Sequence, residues 1–236
     1  MKKEVAIVIV AFNDERLIEK QIECINLFCQ DSFEIVIVDN SEVEGAAEQI
    51  KKLTEENECV YIKTNSLDKD FSISHSSACN TAYAGLKEHY DYFLFLDHDN
   101  FPIKPFSVKN MLGSSVIGGI PQFKSHIYFW AGFVMFNNSI VDKNLVDFSI
   151  NRELGLDTGG NLYKLIAFNN LPYFYFDEVH FHIPDYYGEN NVYALIANGT
   201  FQHNIKSSNW NKSPDHEVRI SKLYELLEQN IKDYKL

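Results

Sequence analysis

The chain opens on an unbroken apolar run, Val5-Ala-Ile-Val-Ile-Val-Ala-Phe12, rich in β-branched residues and short for a helix. Such a run predicts a strand buried on both faces of a parallel sheet. After Asn13-Asp14, a natural helix start, Leu17, Ile18, Gln21, Ile22, Ile25 and Leu27 recur at roughly helical spacing. The alternation then repeats. A strand over 33–38 runs into Asp39-Asn40-Ser41, and a polar helix over 44–57 leads to a strand over 60–64. A polar irregular stretch over 66–77 and a helix over 78–88 precede the strand Tyr92–Leu96, which ends in Asp97-His98-Asp99. This pattern predicts an α/β fold with right-handed crossovers. Ligands of such sheets bind beyond the carboxyl ends of the strands, and polar residues fall there three times: Asn13, Asp39-Asn40 and Asp97-His98-Asp99.

The second half carries shorter signals. Residues 113–120 read as a turn, a short strand and a turn; 126–136 reads as an aromatic strand, and 154–166 as a loop opening a helix capped by Asp157 or Thr158. Asp177-Glu-Val-His180-Phe-His182 alternates, so His180 and His182 share one strand face. A late strand ends near His203, followed by a polar loop with Lys206 and Ser207. From about Pro214, the residues Val218, Ile220, Leu223, Leu226, Leu227 and Ile231 form an amphipathic helix that would pack on the domain or on a second copy of the chain. The expected organisation is one domain over 1–236, with a first half over about 1–112, a second over about 113–213 and a C-terminal helix over about 214–236.

Net charge narrows the partners. With 21 Lys and Arg against 33 Asp and Glu the chain carries −12, which argues against non-specific binding to nucleic acid or anionic lipid. Four cysteines show no CxxC and no zinc spacing, so reduced, buried thiols are expected. The apolar start lacks a small-residue cleavage site and no run approaches the ~18 residues of a spanning helix. A cytoplasmic protein is the expectation.

The chemistry centres on Asp97 and Asp99. In an extended chain these two carboxylates converge on one side while His98 faces away. Close carboxylates repel, and a divalent cation such as Mg2+ or Mn2+ relieves that repulsion; a simple turn continued by Asn100 and Pro102 is the bland alternative. Neither GxGxxG nor GxxxxGK[ST] occurs, which argues against a dinucleotide fold or a P-loop. Asp-x-Asp phosphatases continue into a Gly-Thr-like turn, whereas Asn100-Phe101-Pro102 follows here.

Taken together, Phe12-Asn13, Val38-Asp39-Asn40, Asn80 at a helix start and Leu96-Asp97-His98-Asp99 make the chain similar to the family 2 glycosyltransferases of the GT-A fold over roughly residues 4–140. The resemblance implies a central, mostly parallel sheet flanked by helices, with a nucleotide-sugar-binding half over about 1–112 and an acceptor-side half over about 113–213. It also implies transfer of a sugar from a nucleotide-diphosphate donor, a UDP-sugar first among those expected, to a carbohydrate or other hydroxyl acceptor. Inversion and dependence on Mn2+ or Mg2+ come with it, as does a setting in glycan or polysaccharide assembly. Phe12 and Asn13 would line the base and ribose pocket, Asp39, with Asn40 beside it, would bind the base, and Asn80 would lie near ribose or phosphates. Asp97 would sit by ribose or metal, Asp99 would ligate the metal and His203 would complete its shell. His75, His98 and Lys206 are donor-side candidates, Trp130 and Gly132 would floor the sugar site, and Asp157 would be the general base. Two other classes stay open: a sugar nucleotidyltransferase, although Ala11-Phe12-Asn13-Asp14 is no Gly-rich basic loop, and a non-catalytic nucleotide-sugar-binding protein.

Overall fold

A computed structural model describes residues 3–64, 70–169, 172–182, 192–204 and 216–235. Strands β1 (Val5–Ala11), β2 (Phe33–Asp39), β3 (Val60–Lys63) and β4 (Tyr92–Asp97) run parallel in the spatial order β3-β2-β1-β4. After β4 a short β5 (Asn100–Pro102) leaves this sheet. β6 (Ile117–Phe123), β7 (Ile127–Asn137) and β8 (Tyr173–Tyr175) extend it in the order β4-β7-β6-β8, with β7 antiparallel to both neighbours and β8 parallel to β6. β9 (Glu178–His182), β10 (Val192–Ile196) and β11 (Phe201–Asn204) join β5 in a second, antiparallel sheet ordered β5-β11-β10-β9.

The period of two along each strand explains why the first strands are apolar throughout. Ala6, Val8, Val10, Val36 and Val38 pack against Ala78, Cys79, Ala82 and Tyr83 of α3 (Phe71–Leu86). The intervening Val5, Ile7, Ile9, Ile35 and Ile37 pack on the other face against Ile18, Ile22 and Ile25 of α1 (Glu15–Phe28) and Ile50 of α2 (Glu44–Glu56). Each fully buried Val or Ile contributes about 1.5–3 kcal/mol, so this stack outweighs local propensity. Leu27, expected on the buried stripe of α1, is exposed, and Cys24 and Phe28 take its place.

Two expectations need correcting. The stretch before Ala78 is not a polar loop: α3 already begins at Phe71, where Asp70 accepts hydrogen bonds from the Ser72 and Ile73 amides. Serines lower helix propensity by competing for backbone bonds, but Ser76 bonds back to the Ser72 carbonyl and Ser74 pairs with Asn40. Residues 117–123 likewise form one strand that runs through Gly118-Gly119. A Cβ on Gly119 would lie 2.8 Å from the Phe133 carbonyl oxygen, so close strand approach requires glycine there.

The chain continues through α4 (Val108–Leu112) and α5 (Tyr163–Asn169). α5 is preceded by a 3-10 turn whose N-cap is Gly159, φ +81°, rather than Asp157 or Thr158. Finally, α6 (His216–Lys235) lays Leu223 and Leu227 on Leu17 of α1 and on Phe101 and Ile103 around β5. Among the described residues no helix is long and apolar enough to cross a membrane. All four cysteines are free thiols, and burial pushes those of Cys24 and Cys29 up to about 12.

Candidate active site

From β1 the chain crosses outward to β2 and β3, then returns to place β4 on the opposite side of β1. Crossovers leaving in two directions open a crevice at the carboxyl ends of the two central strands. Val10 of β1 stands in register with Asp97 of β4, and a cleft of about 230 Å³ opens beyond them. Its walls are Val10 and Phe12 from β1, Asp97, His98 and Asp99 from the turn after β4, Phe71, Ser72 and His75 from α3, and Asn40 and Thr158. A second cavity of about 330 Å³ shares His75 and Thr158 with it and adds Gln122, Lys124, Tyr128, Trp130, Asp157, Glu178, His180 and His203.

The turn after β4 is held from four directions. The fully buried Gln21 of α1 donates to the carbonyls of Asp97 (2.9 Å) and Asn100 (2.5 Å). Asn100 Nδ2 donates to the Gly132 carbonyl at 2.8 Å, and the Asn204 amide to the Asp99 carbonyl at 2.9 Å. His98 Nδ1 lies 3.1 Å from the Val10 carbonyl, which can only accept, so this nitrogen carries the proton. The strand has ended at Asp97, so His98 does not face away as extended geometry would have it; it lines the cleft with both aspartates. Its buried Nε2 has no hydrogen-bond partner among the described residues.

Among the described residues neither Lys nor Arg lines the first cleft, and the positive charge beside Asp97 comes from the His75 imidazole. His75 Nε2 meets Asp97 Oδ1 at 2.9 Å. Burial pushes the Asp97 carboxyl upward, but the His75 charge and hydrogen bond outweigh it and hold the group below the ordinary carboxylate value. Across the cleft His203 Nε2 stands 3.8 Å from Asp99 Oδ1, too wide for a hydrogen bond, while its Nδ1 meets Glu178 Oε1 at 3.2 Å. Burial lowers the His203 pKa, yet the Glu178 hydrogen bond and the surrounding carboxylates leave it raised. Two carboxylates and an imidazole are a donor set that suits Mn2+ or Mg2+. Among the described residues no three His, Cys, Asp or Glu side chains form a ready-made cage.

The other predicted residues divide clearly. The Trp130 ring packs on the His203 imidazole with centroids 4.7 Å apart and planes at 36°. Gly132 lies beneath both Trp130 and Asp97, where a Cβ would collide with the indole and with Asp97 Oδ2. Asp157 borders the second cavity, its Oδ1 accepting from the Thr158 amide at 2.8 Å. Burial raises its carboxyl, but hydrogen bonds from Ser72 and Thr158 and the charge of Lys124 leave it below the usual range. Asn40 reaches the first cleft while bonding Ser74 and Thr64.

Asp39 and Asn13 are turned elsewhere. Asp39 is fully buried and binds the Ser41 amide (2.8 Å), the Tyr61 hydroxyl (2.7 Å) and Lys63 Nζ (3.0 Å). Asn13, at φ +55°, takes the Glu42 and Val43 amides on its side-chain oxygen and braces the loop after β2. Asn80 is not at a helix start but in the middle of α3. Its side chain accepts from the Phe148 amide and donates to Asp147 and Ser149, facing a separate groove. Lys206 lies outside the described residues. Sequence reasoning passed over Gln21, Phe71, Ser72 and Glu178; only Gln21 carried a signal, being a polar residue on an otherwise apolar helix stripe.

Residues 6–114 match Glycosyl transferase family 2. Among solved structures, the mannosyltransferase PcManGT from Pyrobaculum calidifontis, in complex with GDP-Man and Mn2+, superposes with a TM-score of 0.51 at 14% identity. The likeness, one of fold, covers 73% of this chain and 54% of that one, so the chain spans about half the length of that neighbour. S. aureus TarS gives a TM-score of 0.48 at 14% identity over 72% of this chain and 34% of its own. No curated protein matches the chain. The match to glycosyl transferase family 2 thus spans Asp97 and Asp99, and the fold of the chain is that of the GT-A glycosyltransferases.

Proposed function

We propose that the protein transfers a sugar from a nucleoside-diphosphate donor to a hydroxyl acceptor, with inversion and with the help of Mn2+ or Mg2+. One observation carries this reading: Asp97 and Asp99 stand on one wall of the crevice between β1 and β4, with His203 Nε2 opposite Asp99. The match to family 2 and the GT-A fold support it, as does a fold neighbour bound to GDP-Man and Mn2+.

The first cleft receives the nucleoside diphosphate. Phe12 and Phe71 meet edge to face at 6.0 Å and offer the base an apolar surface. Asp97, Asp99 and His203 would hold the cation, which when bound neutralises charge on the departing diphosphate. His75, on the wall common to both cavities, adds an imidazolium beside the same phosphates. The second cavity takes the acceptor. The face of Trp130 suits the C–H edge of a sugar ring, and Asp157, ionised at neutral pH, accepts the proton of the attacking hydroxyl. Glycan or polysaccharide assembly is the setting this chemistry fits best.

Incubating the chain with UDP-, GDP- and dTDP-sugars and Mn2+, without acceptor, tests the reading. Slow hydrolysis of one donor, lost on chelation, is the expected result; a pure binding protein gives binding without turnover, and a nucleotidyltransferase releases sugar phosphate only with pyrophosphate present. Gly132→Ala probes the floor of the site. The new methyl group has to displace Trp130 or Asp97, and a shift of about 1 Å at a reacting centre costs about 100-fold in rate. Wild-type rates in a Gly132→Ala chain would remove Trp130 and Asp97 from the sugar site.

A further inference from the structure

We propose that Glu178 is a positioning residue that aims His203 at the cation, and so sets the divalent-metal affinity of the site. The inference rests on the metal reading above and extends it to a side chain outside the proposed ligand set. The register of the second sheet makes the arrangement possible. Ala194 of β10 pairs with His203 on one side and with His180 on the other, while Glu178 pairs with Ile196 two residues along. Glu178, His180 and His203 therefore share one sheet face. The small, buried Ala194 lets Glu178 reach across β10 to His203.

Backbone and ring are fixed separately. His203 pairs with Asn100 in the β5–β11 ladder, and the next residue's amide holds the Asp99 carbonyl, so the main chain sets the His203 Cα beside the aspartate turn. Ring rotation is left to the side chains. Trp130 covers one imidazole face, and Glu178 Oε1 stands 3.2 Å from Nδ1. A carboxylate only accepts, so the proton stays on Nδ1 and the Nε2 lone pair is directed toward Asp99, 3.8 Å away. The other Glu178 oxygen meets His180 Nε2 at 3.2 Å, which steadies the carboxylate from the outer side.

Mn2+ titration of the full chain, with and without UDP, tests this directly through paramagnetic quenching of Trp130 in a Trp210→Phe background. Glu178→Ala is expected to weaken Mn2+ binding about 10–100-fold. Glu178→Gln, whose amide oxygen accepts the same proton, should recover most of that affinity. Glu178→Asp keeps the charge but lacks the reach, and should bind as poorly as the alanine variant. A Glu178→Ala/His203→Ala chain should bind no more weakly than His203→Ala alone, because the two residues act as one unit. Undiminished affinity in Glu178→Ala, equal loss in Glu178→Gln, or additive losses in the double variant would overturn the proposal while leaving the metal reading intact. A wild-type chain that takes up no Mn2+, with or without UDP, would overturn both.

Discussion

Asp99→Asn is expected to leave the protein folded and to lower donor turnover by about 10²–10³-fold, the usual consequence of deleting one group that stabilises developing charge. The amide keeps the shape of the side chain, and the Asp99 main chain stays tied through its carbonyl to Asn204. The Asp99 carboxylate stands 3.8 Å from His203, too wide for a hydrogen bond, so its loss should leave the melting temperature close to that of the wild type. Loss of rate without loss of stability is the signature of a functional rather than a structural acid. Initial hydrolysis rates over a Mn2+ series, paired with thermal melts, measure both. An Asp99→Asn chain that turns over donor at the wild-type rate would take the metal out of the mechanism.

Asp157→Asn should lower kcat for transfer by about 10²–10⁴-fold, the range for loss of a general base, with little change in donor KM. Asparagine retains an oxygen for the Thr158 amide, which holds the loop in place. Hydrogen bonds keep the Asp157 pKa below its ordinary value of about 3.9, so the base is fully ionised above that range and is lost only as pH falls through the lowered pKa. The midpoint of the acid limb of kcat should therefore lie below the ordinary carboxylate value of about 3.9. An Asp157→Asn chain that keeps the wild-type kcat would take the role of base away from Asp157.

The parallel half of the sheet was legible because Val5–Ala11 and Phe33–Asp39 are buried on both faces, and an unbroken β-branched run has few other uses. The crevice followed from strand order, which brought Asp97 and Asp99 to one wall beside Phe12 and His75. What escaped depended on contacts distant in sequence. Ser72, Ser74 and Ser76 look like loop until Asn40 and the Asp70 cap give them partners, and Asn80 looks like a cap until residues 147–149 close on its side chain. Asp39 stands at the strand end the sequence marks, and its bonds to Tyr61 and Lys63 on the neighbouring strand are contacts that no local pattern shows. Glu178 acquires a role only when β10 and β11 pair, a register that no local pattern encodes.

Gln21 and α6 have a consequence for biogenesis. The aspartate turn is gripped from α1 by Gln21, and the adjoining β5 segment is covered by Leu223 and Leu227 of α6, more than a hundred residues downstream of Asp97. A ribosome-bound chain therefore carries its parallel strands well before it carries the helix that covers β5. Premature arrest would release a chain that has its parallel sheet but leaves Phe101 and Ile103 without the cover of α6.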